Sequence, residues 1–404
     1  MKYSVIIISL VALFAVTISA QTWTNISSAL IQSKGLTMGW YGECTGVCVN
    51  RLNGDVVIMI NNNNGMWRST DQGTNWVRID NNTVGGRCET GVGVNVDQDN
   101  PTRIAVFSLD GDVGYTPNGT TWHKMTTMGR NWDFGSVDWG VANPLVMIAM
   151  KHEDNGKVYK TADGGVTWSL LSILIYAQGN NEKSSMIGVM DANTFIYCAS
   201  GDIMRSTDAC ATWTSASTRT SQTKIPVLFK GKHYLGTATG LLVSADKGAT
   251  WQTQGGTVEI CQGPFFGTDE NTMVVVNTQG FYKTTNAGTA WAKVASLPPE
   301  HRGYTYDASW FGGATWDPIH NVIYATRMEW PAFKLTLTST SVSNPITSQQ
   351  HQVNRNVRRI VNVRQIDKLQ AGDIYDITGK SLGSVSPHQS NSSIGAKIVF
   401  AKIR

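Results

Sequence analysis

An all-β fold, a ring of seven four-stranded antiparallel sheets, is what this 404-residue sequence predicts. Three observations carry the prediction. A Ser/Thr-x-Asp-x-Gly-x-Thr-Trp pattern recurs through the chain. The six tryptophans that close its copies (Trp76, Trp122, Trp168, Trp213, Trp251 and Trp291) lie 46, 46, 45, 38 and 40 residues apart. Self-similarity at that period marks a repeat architecture whose units cannot bury their own faces alone. Glycine, at 40 residues against only 11 prolines, exceeds its usual share of about 7% and suits short strands joined by tight turns. A hydrophobic content of 41%, with 9% aromatics, supplies a sizeable core and excludes wholesale disorder.

Residues 1–20 read as a secretory signal: Lys2, the apolar run Val5–Val16, then Ile18-Ser19-Ala20 before Gln21. The run is too short to span a membrane. Cleavage after Ala20 is expected, giving a secreted or cell-surface chain with no transmembrane segment. Residues 21–340 form the ring. Clear copies of the motif are Ser69–Trp76, Thr161–Trp168 and Ser244–Trp251, and looser ones are Thr116–Trp122, Ser206–Trp213 and Thr284–Trp291. In each, the Asp or Asn side chain bonds amides of its own turn, glycine takes a φ > 0 position, and the Trp anchors the next strand. An alternating strand such as Lys157–Lys160 precedes the turn, and a more apolar one such as Val56–Ile60 comes before that. Each unit is therefore a four-stranded sheet, and radial stacking into a seven-bladed β-propeller is expected. Residues 305–337 hold three more strands but no closing Trp. Gln21–Ile26, containing Thr22-Trp23, resembles the closing strand of the other units and is expected to complete the last blade. Residues 341–365 read as a linker rich in Ser, Thr, Gln and Asn, and residues 366–404 as a small C-terminal β segment.

The repeated turn resembles the Asp-box, or bacterial neuraminidase repeat. Residues 21–340 are thus similar to the Asp-box β-propellers: sialidases, xyloglucanase-type glycoside hydrolases, sortilin-type receptors and photosystem II assembly factors. The resemblance implies the propeller and, because the box is a structural turn, leaves the activity open. A sialidase needs an arginine triad and a Phe/Tyr-Arg-Ile-Pro motif, for which only Lys224-Ile-Pro226 is a faint match. Xyloglucanases carry a catalytic Asp in a Thr-Asp-Ile/Val-Gly-Gly segment, and the equivalent Asn61–Gly65 has no carboxylate. In the tail, Asp373–Lys380 and Ile394–Ile403 resemble the closing half of a type IX secretion sorting domain, which implies the outer-membrane secretion machinery as a partner.

The net charge of +4 is unevenly placed. Nine Lys/Arg against three Asp put +6 on residues 351–404, Lys2 adds +1, and residues 21–350 carry −3. The body lacks the basic field that nucleic-acid binding needs, and a monomer is expected. Asp97-x-Asp99 and Asp110-x-Asp112 do not continue into a full calcium loop, so neither metal nor cofactor is expected. Six cysteines in an exported chain make disulfides expected, with Cys44–Cys88 and Cys198–Cys210 as the candidate pairs.

A propeller binds ligands at one mouth of its channel, on the loops that enter each first strand and those joining second to third strands. Those loops carry the candidate catalytic carboxylates Glu43, Glu89, Asp133, Asp307 and Glu329. They also carry candidate substrate-binding groups: Arg87, Arg130, Trp132, His152, His301, Arg302, Tyr304, Arg327 and Trp330. Glycoside hydrolysis needs two carboxylates about 5–9.5 Å apart. Arginines bind acidic sugars bidentately and indole faces stack on sugar rings. The leading reading is an exported hydrolase-like enzyme acting on a polysaccharide. A non-catalytic propeller that binds glycan or protein is the alternative. A lyase, with His152, His301 or Tyr304 as base, is a further one.

Overall fold

Short strands form where the apolar alternation of each repeat is bounded by Asn, Asp and Gly turns. The computed structural model describes residues 22–39, 41–141, 145–154, 156–173, 186–198, 202–219, 221–223, 225–301 and 312–337, and the strands of a C-terminal sheet. The expected signal segment, Arg302, Tyr304 and Asp307 lie outside the described residues. The chain divides into two units, Met1–Ser339 and Thr340–Arg404. In the second unit Arg359–Val361, Val399–Ile403, Gly372–Asp376 and Ser381–Val385 lie side by side, in that order, as one sheet.

In the first unit, five separate four-stranded sheets begin on Val94–Val96, Trp132–Val137, Ile187–Val189, Val227–Phe229 and Gln262–Phe266. In each the strands pair in chain order. An eight-stranded sheet joins the two ends of the unit. One half comprises Cys44–Asn50, Asp55–Ile60, Gly65–Ser69 and Val77–Arg78. The other comprises Gly312–Asp317, Val322–Arg327, Phe333–Thr336 and the N-terminal Thr24–Asn25. Seven separate sheets are expected from the sequence, and the structure differs because Cys44 also pairs with Arg327, the single residue pair between the halves. Thr24 lies opposite Lys334 and Asn25 opposite Phe333, so the N-terminal strand covers the edge of the last hairpin. The first strands of the five sheets, with Cys44–Asn50 and Gly312–Asp317, line one channel. The unit is an all-β propeller. Its single described α-helix, Ser28–Lys34, is short, and no described helix is long and apolar enough to cross a membrane.

Seven apolar clusters fill the unit among the described residues. Each takes one of Trp23, Trp76, Trp122, Trp168, Trp213, Trp251 and Trp291. The repeated turns are closed by the same bonds. In one, Ser69 Oγ donates to Asp71 Oδ1 (2.7 Å), the Gly73 amide donates to Ser69 Oγ (2.7 Å), and the Asn75 amide donates to Asp71 Oδ1 (2.8 Å). Thr161–Asp163–Thr167, Ser206–Asp208–Thr212 and Ser244–Asp246–Thr250 repeat the pattern. Thr284–Asn286–Ala290 keeps it with an amide in place of the carboxylate.

These bonds hold Asp71, Asp163, Asp208 and Asp246 down to about 2, led by the Asn75 amide for Asp71 and by the Thr161, Thr212 and Thr250 hydroxyls for the others. A carboxyl that is more acidic folded than unfolded stabilises above its unfolded pKa of about 3.9 and loses that contribution as pH falls through the folded value. The melting temperature is therefore expected to drop between about pH 4 and about pH 2. Asp163→Asn, which copies Asn286, should reduce the acid loss measured by thermal melts. An unchanged acid loss would exclude this turn as a source.

Neither expected disulfide forms, and strand parity explains both. Cys44, Cys88 and Cys210 are free, buried thiols. A β-bulge between Cys44 and Gly46 places these two residues on opposite faces of their strand. Cys44 packs with Ile26, Leu30 and Val322, whereas Cys88 packs on the far side with Cys48, Val57 and Met59. Burial pushes both thiols up to about 12. Cys198 likewise packs with Ile196 and Leu235, while Cys210 packs with Phe195 and Tyr197 on the other face of that sheet.

Candidate functional site

Loops from the first three repeats are stitched together at one mouth of the channel. Asn62 bridges Gly86, Arg87 bridges Leu109, and Leu109 bridges Asn131. The His152 amide then donates to the Asn131 carbonyl (3.3 Å). The approach is close enough that a Cβ on Gly86, at φ +73°, would lie 2.1 Å from the Leu109 carbonyl oxygen, so glycine is required there.

Two charged groupings result. In the first, Arg87 Nε donates to Glu89, and Arg87 Nη1 donates to Asp110 Oδ2 (2.6 Å). The Arg87 guanidinium lies 4.3 Å from the centroid of the Tyr41 ring. Arg130 approaches the same carboxylate from outside, with Nε donating to Asp110 Oδ1 (2.8 Å) and Nη2 to Oδ2 (3.0 Å). Arg130, then Arg87, hold the Asp110 carboxyl down to about 2. Asp110 in turn raises the Arg130 guanidinium. Arg87 and Glu89 are buried, at 4% and 2% exposure, whereas Arg130 is exposed. Arg130 is thus the arginine of this group whose side chain reaches solvent.

In the second grouping, His152 Nδ1 lies 2.7 Å from Asp133 Oδ1. A carboxylate oxygen only accepts, so Nδ1 carries a proton, which leaves Nε2 as the ring nitrogen that can exchange one. Nε2 faces Glu153 Oε1 at 3.4 Å. Asp133 is 1% exposed, and its backbone carbonyl accepts from Thr90 Oγ1 (3.2 Å). A buried carboxylate orienting a half-buried imidazole is an arrangement that can move a proton.

The other candidates disperse. Glu43 accepts from Ser27 Oγ (2.6 Å) and Ser28 Oγ (2.8 Å), which ties it to the start of the short helix. Trp132 is a core residue, fully buried with its ring 4.8 Å from that of Trp168, because a bulge after it sends Trp132 and Phe134 to opposite faces. His301 is buried edge-on against Phe333, and burial, then Arg327, push its imidazole down to about 3. Glu329 is exposed in a turn whose amide donates to the Tyr41 carbonyl, and Arg327 and Trp330 flank it half-buried. Asp110, which joins the two arginines, lies in these loops but is not among the candidates the sequence selects. Neither is Glu153, which faces His152. Among the described residues no group of His, Cys, Asp and Glu is arranged to hold a metal.

No protein-family model matches the chain, and no curated protein matches it. Among solved structures, the chain is similar to the GH74 enzyme of Niastella koreensis at 19% identity and a TM-score of 0.40, covering 71% of this chain and 48% of that one. It is similar to YCF48 from Cyanidioschyzon merolae at 11% identity and 0.42, covering 78% and 98%. It is also similar to the GH74 xyloglucanase of Xanthomonas campestris at 14% identity and 0.42, covering 78% and 53%. The chain spans about half the length of the GH74 enzymes it matches.

Proposed function

We propose that this protein is an exported, carbohydrate-active Asp-box propeller that cleaves a polysaccharide at the mouth described above. In this reading the eight-stranded sheet counts as two of seven blades, and the C-terminal unit acts as the secretion signal. The observation that carries the proposal is the Asp133–His152 pair beside the solvent-facing Arg130. Asp133 fixes the imidazole, His152 Nε2 takes or gives the proton at the scissile linkage, and Arg130 holds an acidic sugar. The non-catalytic alternative is favoured by a different observation. Glu43 is engaged by two serines and Glu89 by Arg87, which is how carboxylates serve architecture.

A polysaccharide panel on the purified full chain separates the readings, scored by reducing-end release and by absorbance of unsaturated uronates. Reducing ends alone indicate hydrolysis, and new absorbance indicates elimination. Either activity should fall by about 10²–10⁴-fold in His152→Ala, the range expected for losing a general acid or base. Full activity in that variant would remove His152 from the chemistry. Silence across the panel, with retention of a glycan in a binding assay, would establish the non-catalytic reading.

A further inference from the structure

Among the described residues of the turns that join second to third strands in the first three repeats, Glu153 is the acidic residue that no lysine or arginine pairs. Asp110 meets Arg87 and Arg130, Asp112 meets Lys124, and Asp154 meets Lys151 and Lys157. The turn that carries Glu153 joins the strands Met147–Lys151 and Lys157–Thr161. Its flanks are fixed. On one side the His152 amide donates to the Asn131 carbonyl (3.3 Å). On the other, Asp154 accepts from Lys157 Nζ (2.9 Å) and from the Tyr159 hydroxyl (2.8 Å).

Glu153 lies between these anchors at φ +52°. The corresponding turns of the first two repeats place Asn62 (φ +65°) and Asp110 (φ +57°) in the same left-handed region. Short polar side chains settle there by bonding locally, an advantage that glutamate lacks. The longer side chain of Glu153 instead brings Oε1 to 3.4 Å from His152 Nε2. Glu153 is 55% exposed in its side chain and His152 only 14%, so the carboxylate stands on the solvent side of the ring nitrogen that exchanges a proton. Asp110 foremost, and then Glu153, raise the Arg130 guanidinium. The Glu153 carboxylate therefore lies in the field of that arginine as well as against the imidazole. Those are the two groups to which an acidic sugar is assigned above, and an incoming anion meets a like charge already held there.

We propose that Glu153 is a specificity-determining residue of the mouth, an internal competitor whose carboxylate covers His152 Nε2 and is displaced by the acidic group of a substrate. The substrate half of this inference rests on the polysaccharide reading. The covering of Nε2 does not.

Two measurements on the full chain separate them, using Glu153→Gln, which removes the charge alone, and Glu153→Asn, which copies Asn62 and suits the left-handed backbone. Diethyl pyrocarbonate transfers an ethoxycarbonyl group to an accessible, unprotonated imidazole nitrogen, releasing ethanol and carbon dioxide. Its rate at His152, followed by peptide mass spectrometry, should rise roughly 2- to 5-fold in both variants, the range a half-exposed ion pair supports. The rate at His320, held by Asp317 in another turn, should not change. In the second measurement, both variants should bind polygalacturonate tighter by a similar factor and its fully methyl-esterified, uncharged form no differently from the parent. Unchanged acylation of His152 in both variants overturns the inference, as does weaker binding of polygalacturonate, which would make Glu153 a substrate ligand. Failure of the parent and both variants to bind either polymer removes the substrate half together with the polysaccharide reading, while faster acylation of His152 would still establish that Glu153 covers Nε2.

Discussion

Deleting residues 22–27 is expected to replace one sharp thermal transition by a broad one at markedly lower temperature. The segment is small, but it is the piece that completes the last hairpin. Thr24–Asn25 pairs with Phe333–Thr336. The Ile26 amide donates to the Ala332 carbonyl (2.9 Å), and the Ala332 amide donates to Ser27 Oγ (2.9 Å). From the first repeat, Trp76 Nε1 reaches the Ile26 carbonyl (3.2 Å). From the sixth, the Ser296 carbonyl accepts from Trp23 Nε1 (3.1 Å). Three parts of the chain thus converge on six residues. Their removal exposes the backbone of Phe333–Thr336 as an open edge and uncovers two apolar clusters. The side chain of Ile26 alone, 6% exposed, accounts for about 2–5 kcal/mol by the cost of truncating a buried aliphatic residue to alanine. A synthetic peptide of residues 22–34 added to the deleted protein should restore the sharp transition in near-ultraviolet dichroism. A deleted protein that melts like the intact one would mean that closure lies elsewhere.

That N-terminal strand was legible because its Thr-Trp pair repeats the ending of four of the six turns. The turns and their tryptophans were legible for the same reason: the bonds that close them run between residues two to four apart. The mouth was legible only as a set of loops. Which partner each carboxylate meets depends on contacts such as Arg130 with Asp110 and Glu43 with Ser27, whose partners lie on different elements. Parity was the other obstacle. Alternation along a strand assigns faces only until a bulge shifts the register, and the bulges fall at Cys44/Gly46 and Trp132/Phe134, where the inner strands enter the mouth. The first explains why Cys44 faces away from Cys88. The second explains why Trp132 is core while its neighbour Asp133 turns toward His152.

Arg87→Met is expected to be the most damaging single substitution at the mouth, and Glu89→Gln to rescue part of the loss. Arg87 sits between a carboxylate with 3% side-chain exposure and another with 25%. Removing its charge takes the Arg87 guanidinium away from the buried Glu89, and breaking one side of a buried pair costs about 3–5 kcal/mol. Arg130 keeps its bonds to Asp110, so the outer half of the network survives. In the double variant the buried Glu89 charge is gone as well, and the remaining loss is the packing of the guanidinium on Tyr41 plus the amide's imperfect bonding. Denaturant unfolding of the two single variants, the double and the parent gives the coupling between the residues directly. The double variant should be more stable than Arg87→Met alone. If its loss instead equals the sum of the two single losses, Arg87 and Glu89 act independently, and the buried pair is not what holds the Gly86–Glu89 loop against Leu109. The same variants also test the proposed activity. A purely architectural Arg87 predicts that residual activity per folded molecule in Arg87→Met stays near that of the parent, whereas Arg130→Ala raises KM for an acidic polysaccharide with little change in stability. The reverse pattern would move substrate contact inward, to the arginine the fold keeps from solvent.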